Sequence, residues 1–103
     1  MAIGDEITGI PQSFKVHENF PNPFNPVTKV KIDVPEKGYM HVAVHDISGR
    51  LITTLLNSDV EPGYHSIKWN GKNRLGATAA SGVYILNVYL NGQQHSQKML
   101  LVK

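Results

Sequence analysis

Cysteine is absent from the 103 residues of this chain. That excludes a disulfide framework and any thiolate nucleophile or thiolate metal site, and it leaves a small domain to hold itself together by packing alone. Long apolar runs are absent too, since no stretch approaches the roughly 18 residues of a membrane-spanning helix. The opening residues, Met1 to Gly4 followed by Asp5 and Glu6, lack the basic and apolar regions of a signal peptide. If the domain is exported, its address lies elsewhere, and one reading is that the chain is a piece of a longer protein. Runs of one charge are missing as well. The ten Lys and Arg are scattered among eight Asp and Glu, for a net charge of +2, which gives little reason to expect a nucleic-acid partner.

What is present describes an ordinary folded domain. A hydrophobic content of 41% against 17% charged residues supports one small core, and nine Gly with six Pro announce many turns without reaching the disordered range. Residues 1–12 have no sustained periodicity and read as a flexible lead-in, with the domain proper at 13–103. Three of the six prolines fall in Pro21-Asn22-Pro23-Phe24-Asn25-Pro26. Each fixes its own φ and pushes the residue before it away from the helical region, so the segment is stiff before any tertiary contact forms. It lacks the N–H groups of a central strand, yet Phe20 and Phe24 bracket its first half with rings that need cover. The segment reads as an edge strap pinned by two aromatic pegs rather than as a linker.

The remainder alternates with period two. After a first edge strand between Ser13 and Phe20, Val30, Ile32 and Val34 alternate with Lys29, Lys31 and Asp33. Pro35 ends that strand, a turn follows, and Met40, Val42 and Val44 face away from His41, Ala43 and His45 in the next. In the run from Arg50 to Leu56, Ile52 and Leu55 lie three apart, which predicts a bulge or a switch of sheet. A polar loop is expected from Asn57 to Gly63. Tyr64 to Trp69 puts His65, Ile67 and Trp69 on one face, and Val83 to Leu90 puts Tyr84, Leu86, Val88 and Leu90 on the core side. Asn91-Gly92 is a two-residue hairpin signal leading into a last strand that ends at Val102. Seven strands with turns at this spacing and no convincing helix predict an all-β, seven-stranded antiparallel immunoglobulin-like β-sandwich.

Catalysis needs converging acid, base or nucleophile groups, and no loop supplies them, so no enzyme is expected. His41 and His45 share a strand face two pleats apart, roughly 13 Å, too far for one metal ion. His65 reads as a partly buried, hydrogen-bonded structural histidine. Asp46, Asp59 and Glu61 are isolated carboxylates, whereas a calcium loop needs several converging oxygens. Lys72 and Arg74 place positive charge in the Asn70–Gly76 loop where a cation would have to sit. Ser66, Ser81 and Ser96 lack the strained elbow that exposes a nucleophile. No cofactor or metal is expected. Tyr39, Tyr64 and Tyr89 stand at outward positions where tyrosines serve cross-strand packing or, less commonly, a sugar platform.

Five ordered blocks then acquire a collective meaning: Pro21 to Pro26; Asp46 with Gly49-Arg50; Gly63, His65 and Trp69-Asn70-Gly71; Ser81-Gly82-Val83-Tyr84; and Lys98-Met99 with Lys103. In order and spacing, from Phe14 to Lys103, they resemble the type A C-terminal sorting domain of bacterial type IX secretion, which is similar in fold to the immunoglobulin-like domain of the flagellar hook-capping protein. The resemblance implies an address label on an upstream cargo domain in the same polypeptide, read by the translocation machinery and commonly cut away by a sortase at the cell surface. Carried over by position, recognition falls to Gly82, Tyr84, Lys98, Met99 and Lys103. The structural positions are Pro21, Asn22, Pro23, Phe24, Asn25, Pro26, Gly49, Arg50, Trp69 and Gly71. Two departures stand out, Asn70 where the family usually has Asp and His45 where it commonly has Tyr. The alternatives are a scaffold module that associates with itself through a sheet edge, and a carbohydrate-binding module.

Overall fold

The computed structural model describes residues 10–103, and within them the only regular elements are strands. The expected lead-in lies mostly outside the described residues; of its described positions, Pro11 is buried. The seven strands are β1 (Lys15–Val16), β2 (Thr28–Val34), β3 (Gly38–Asp46), β4 (Leu51–Val60), β5 (Gly63–Trp69), β6 (Gly82–Leu90) and β7 (Gln93–Leu101). They form two antiparallel sheets in the orders β1-β2-β5 and β4-β3-β6-β7, packed face to face as a sandwich.

Alternation decides which way each strand faces. Val30, Ile32 and Val34 of β2 are buried while Lys29 and Lys31 face water, and Met40, Val42, Val44, Leu86, Val88 and Leu90 bring the second sheet's inner face against them. The irregular spacing in β4 resolves into two bulges. Val42 pairs with Leu56 and Ala43 with Thr54, which leaves Leu55 over; Val44 pairs with Thr53 and His45 with Leu51, which leaves Ile52 over. The two extra residues turn toward the interior and pack on the core.

Two sequence-based boundaries shift. β4 runs on through the polar stretch to Val60, so the loop expected from Asn57 to Gly63 shrinks to Glu61-Pro62. Asn57 and Asp59 point outward from paired positions opposite His41 and Tyr39, and burial of Val60 compensates for their low strand propensity. The first edge strand is regular only at Lys15–Val16, although Phe20 pairs again with Lys29. Between them Asn19 is buried and donates to Thr28 Oγ1 at 3.0 Å and to the Pro21 carbonyl at 3.3 Å. At the β6–β7 hairpin, Asn91 and Gly92 have φ of 49° and 84°, the paired positive values of a type I′ turn.

Candidate functional site

The proline strap and the last strand lie far apart in sequence and touch in space. The Phe24 N–H donates to the Leu100 carbonyl at 2.9 Å, and the Val102 N–H donates to the Phe24 carbonyl at 2.9 Å, a single parallel bridge on the outer edge of β7. Where the neighbouring prolines have no N–H to offer, a side chain substitutes for backbone. Asn22 Oδ1 accepts from the Leu100 N–H at 3.0 Å, and its Nδ2 donates to the Lys98 carbonyl at 3.4 Å. Gln97 Nε2 adds a bond to Asn19 Oδ1 at 3.3 Å. The peptide bonds preceding Pro21, Pro23 and Pro26 are all cis. The strap thus occupies the edge of β7 from Lys98 to Val102, where a further strand would otherwise bind.

Only one of the two expected pegs is driven in. The Phe24 ring is 1% exposed and tilts against Trp69 with centroids 5.5 Å apart; Trp69 in turn meets Tyr84 edge-on at 5.2 Å. The Trp69 Nε1–H donates to the Lys72 carbonyl, and the Tyr84 hydroxyl donates to the Ala80 carbonyl. Phe20, by contrast, is 81% exposed. It exchanges both backbone hydrogen bonds with Lys29, which faces water on β2, and directly paired residues point to the same side of a sheet. The register therefore carries Phe20 outward. On the inner side the strap is closed by Gly71, where a Cβ would stand 2.8 Å from the Pro26 carbonyl oxygen. That close approach, at φ of +75°, accounts for glycine after Trp69-Asn70.

The residues expected to be recognised gather on β6, β7 and the two residues after β7 but face different ways. Gly82 pairs with Leu101, Tyr84 with Met99 and Ile85 with Lys98. Tyr84 and Met99 are core residues, 7% and 1% exposed, so they support the surface rather than form it. Lys98 and Lys103 are exposed, and between them Leu100 and Val102 are exposed as well. These two apolar residues were not among the expected positions. The alternation about Met99 and Leu101, both inward, is the signal that marks them.

The other motif blocks build turns. Asp46 Oδ1 accepts from the N–H groups of Ser48 and Arg50, at 3.0 Å each, and from the Ser48 hydroxyl, while Oδ2 faces the Arg50 Nε–H at 3.2 Å. The Ser48 hydroxyl, then the Arg50 and Ser48 backbone bonds, and last the Arg50 charge hold its carboxyl below the usual range. Gly49 sits at the left-handed position of this turn. Burial, and secondarily the charge of Asp46, pushes the Tyr84 hydroxyl up. In the loop after β5, Asn70 Oδ1 accepts the Lys72 N–H, and Asn73 Oδ1 accepts from Leu75 and Ala77. His65 is half-buried with Nε2 2.8 Å from the Glu61 carbonyl, as expected of a structural histidine. His41 stacks on Tyr89, and His45 Nδ1 bonds the Asn87 amide at 2.9 Å.

Against this geometry, the FlgD Ig-like domain family matches residues 24–94. The chain belongs to that family. The matched span begins within the strap and stops early in β7, so the exposed residues from Lys98 onward lie beyond it. Among solved structures, the chain is similar to part of dimeric latent PorU from Porphyromonas gingivalis, at 24% identity and a TM-score of 0.69, covering 86% of this chain and 9% of that one. PorZ, described as an essential surface component of the type-IX secretion system of the same organism, matches at 24% identity and 0.56, covering 99% and 12%. FlgD from P. aeruginosa matches at 20% and 0.53, covering 72% and 58%. The chain thus spans about a tenth of the first two proteins it resembles. None of the curated proteins matches. The shared feature is the fold.

Proposed function

We propose that this FlgD-type immunoglobulin-like domain is a non-catalytic C-terminal sorting domain, carrying an upstream cargo in the same polypeptide through bacterial type IX secretion to the cell surface. The observation that carries the reading is the immobilised last strand. Lys98, Leu100, Val102 and Lys103 stand outward on a segment whose edge is held by Asn22 and Phe24 and whose inner side chains, Met99 and Leu101, are fixed in the core. A partner meets two apolar groups flanked by two cations in one fixed geometry, which is preorganisation for recognition. The likeness in fold to PorZ supports the same reading. The partners under it are the type IX translocation machinery and a sortase, and the route runs through the periplasm to the outer-membrane surface.

The test fuses residues 14–103 behind a periplasmic reporter in a type IX-competent host. The reporter is expected at the cell surface or in the medium. A Lys98→Glu, Lys103→Glu variant, altered only at exposed positions, is expected to stay periplasmic while melting at the wild-type temperature. Retention of the unaltered fusion overturns the proposal. Membership of the FlgD family favours a second reading, a scaffold module that associates through a sheet edge. A monomer in light scattering at high concentration counts against that one.

A further inference from the structure

At the edge of the four-stranded sheet opposite β7, the sandwich is open. β4 and β5 are the outermost strands of their sheets and follow one another through Glu61-Pro62, so both edges lie on that side. Between them is a cleft of 340 Å³ floored by Leu55 and Trp69. Its rim carries Lys68 from β5 with Lys72 and Arg74 from the following loop, and among the described residues no carboxylate lines it. The ion pairs among the described residues, His17 with Asp33 and Arg50 with Asp46, involve none of these three cations.

The loop that presents them is built in advance. Asn73 N–H donates to the Ala77 carbonyl and Gly76 N–H to the Asn73 carbonyl, and Ala79 N–H reaches back to Gly71. Asn73 Oδ1 already accepts two loop amides and Asn70 Oδ1 accepts one, which leaves both NH₂ groups as donors to the rim. Cations and amide donors therefore dominate the rim, and Thr53 supplies a hydroxyl. Such a rim is complementary to an acceptor-rich anion. The loop also shows what the adjacent edge accepts: the Arg74 N–H donates to the Ile52 carbonyl at 3.0 Å, a backbone pairing made from outside the sheet. Among the described residues the outer edge of β4, away from β3, has no strand partner.

We infer that this cleft binds an extended acidic peptide segment, laid along the outer edge of β4 with its carboxylates against Lys68, Lys72 and Arg74 and its intervening apolar side chains on Leu55. An extended strand places alternate side chains on one side about 7 Å apart, so a Glu-x-Glu pattern presents two carboxylates to the rim at once. Charge complementarity and the unpaired strand edge favour a peptide over an isolated ion, because an ion uses only the first. The inference stands independently of the sorting role, since Lys68, Lys72 and Arg74 neither hold nor display the last strand.

The test is an amide NMR titration of the domain with an end-blocked peptide alternating Glu and Val, compared with its Gln–Val counterpart. The Glu peptide is expected to shift resonances of residues 53–56 and 68–76, and a Lys72→Glu, Arg74→Glu variant is expected to bind it about tenfold more weakly. Both substituted positions are exposed, and a wild-type melting temperature verifies the fold of the variant. A Lys15→Glu variant should bind as wild type does. Equal binding of the Gln peptide overturns the proposal, as do shifts confined to the Lys15 and Lys31 face, an absence of shifts, or equal occupancy by inorganic phosphate at the same concentration.

Discussion

Phe20 and Phe24 are the same residue four positions apart, and the fold gives them opposite work. Phe24 fills the space beside Trp69, so Phe24→Ala leaves a cavity and is expected to cost about 3–5 kcal/mol in urea denaturation. Phe20→Ala touches no core and is expected to fall within about 0.5 kcal/mol of wild type. A midpoint unchanged by Phe24→Ala would return the strap to the status of a linker. The apolar character of both rings was legible in the sequence, but their fates were not, because what separates them is the pairing of Phe20 with Lys29 across a gap that holds the strap itself. Asn19 was illegible for a related reason. Its burial depends on meeting Thr28 and Gln97, one of them on the last strand.

Strands read well wherever one face is buried and the other wet. β2 and β6 follow their alternation, β3 does so except at Ala43, which is buried on the face it shares with His41 and His45, and the bulges in β4 were visible as the misplaced spacing of Ile52 and Leu55. The tail of β4 was missed because Asn57, Ser58 and Asp59 look like loop and become strand through the partner that β3 provides. The docking of strap on β7 was visible only in part. Prolines announce an edge, but which edge is a tertiary fact. It has a measurable signature in amide exchange. The Leu100 and Val102 N–H groups are bound by Asn22 and Phe24 and should exchange slowly. Asn22→Ala is expected to speed exchange at Leu100, at a stability cost of about 1 kcal/mol, while amides in the middle of β6 keep their protection. Unchanged exchange at Leu100 would show that the Asn22 bond does not hold the edge.

The fold also redistributes charge in a way the linear sequence conceals. Lys15, Lys29, Lys31 and Lys68 look scattered along the chain, yet cross-strand register sets Lys15 opposite Asp33 and Lys29 opposite Lys68 on the outer face of the three-stranded sheet. Lys72 and Arg74 continue the cationic surface around the adjoining cleft. The candidate recognition surface at the C-terminal end was named in sequence by its lysines, whereas Leu100 and Val102 emerged only with the orientation of β7. That orientation predicts the result of a truncation. Removing residues 99–103 deletes Met99 and Leu101, each 1% exposed, and the loss of two core side chains at about 2–5 kcal/mol apiece rivals the entire stability of a small domain. Far-ultraviolet circular dichroism should show the shortened chain unfolded at 37 °C; a native spectrum would mean the last strand is dispensable to the core.

The bridge between Phe24 and Leu101 also bears on the order in which the polypeptide is made. A ribosome releases the strap early and the last strand late, so for most of synthesis Asn22 and Phe24 have no edge to grip. The domain closes only once residues 100–102 have appeared. A message cut short before that point yields a product with its strap unmoored and its aromatic peg exposed, and the cell's proteases meet an open end. In this architecture, closure of the strap and display of the last strand rest on the same contact.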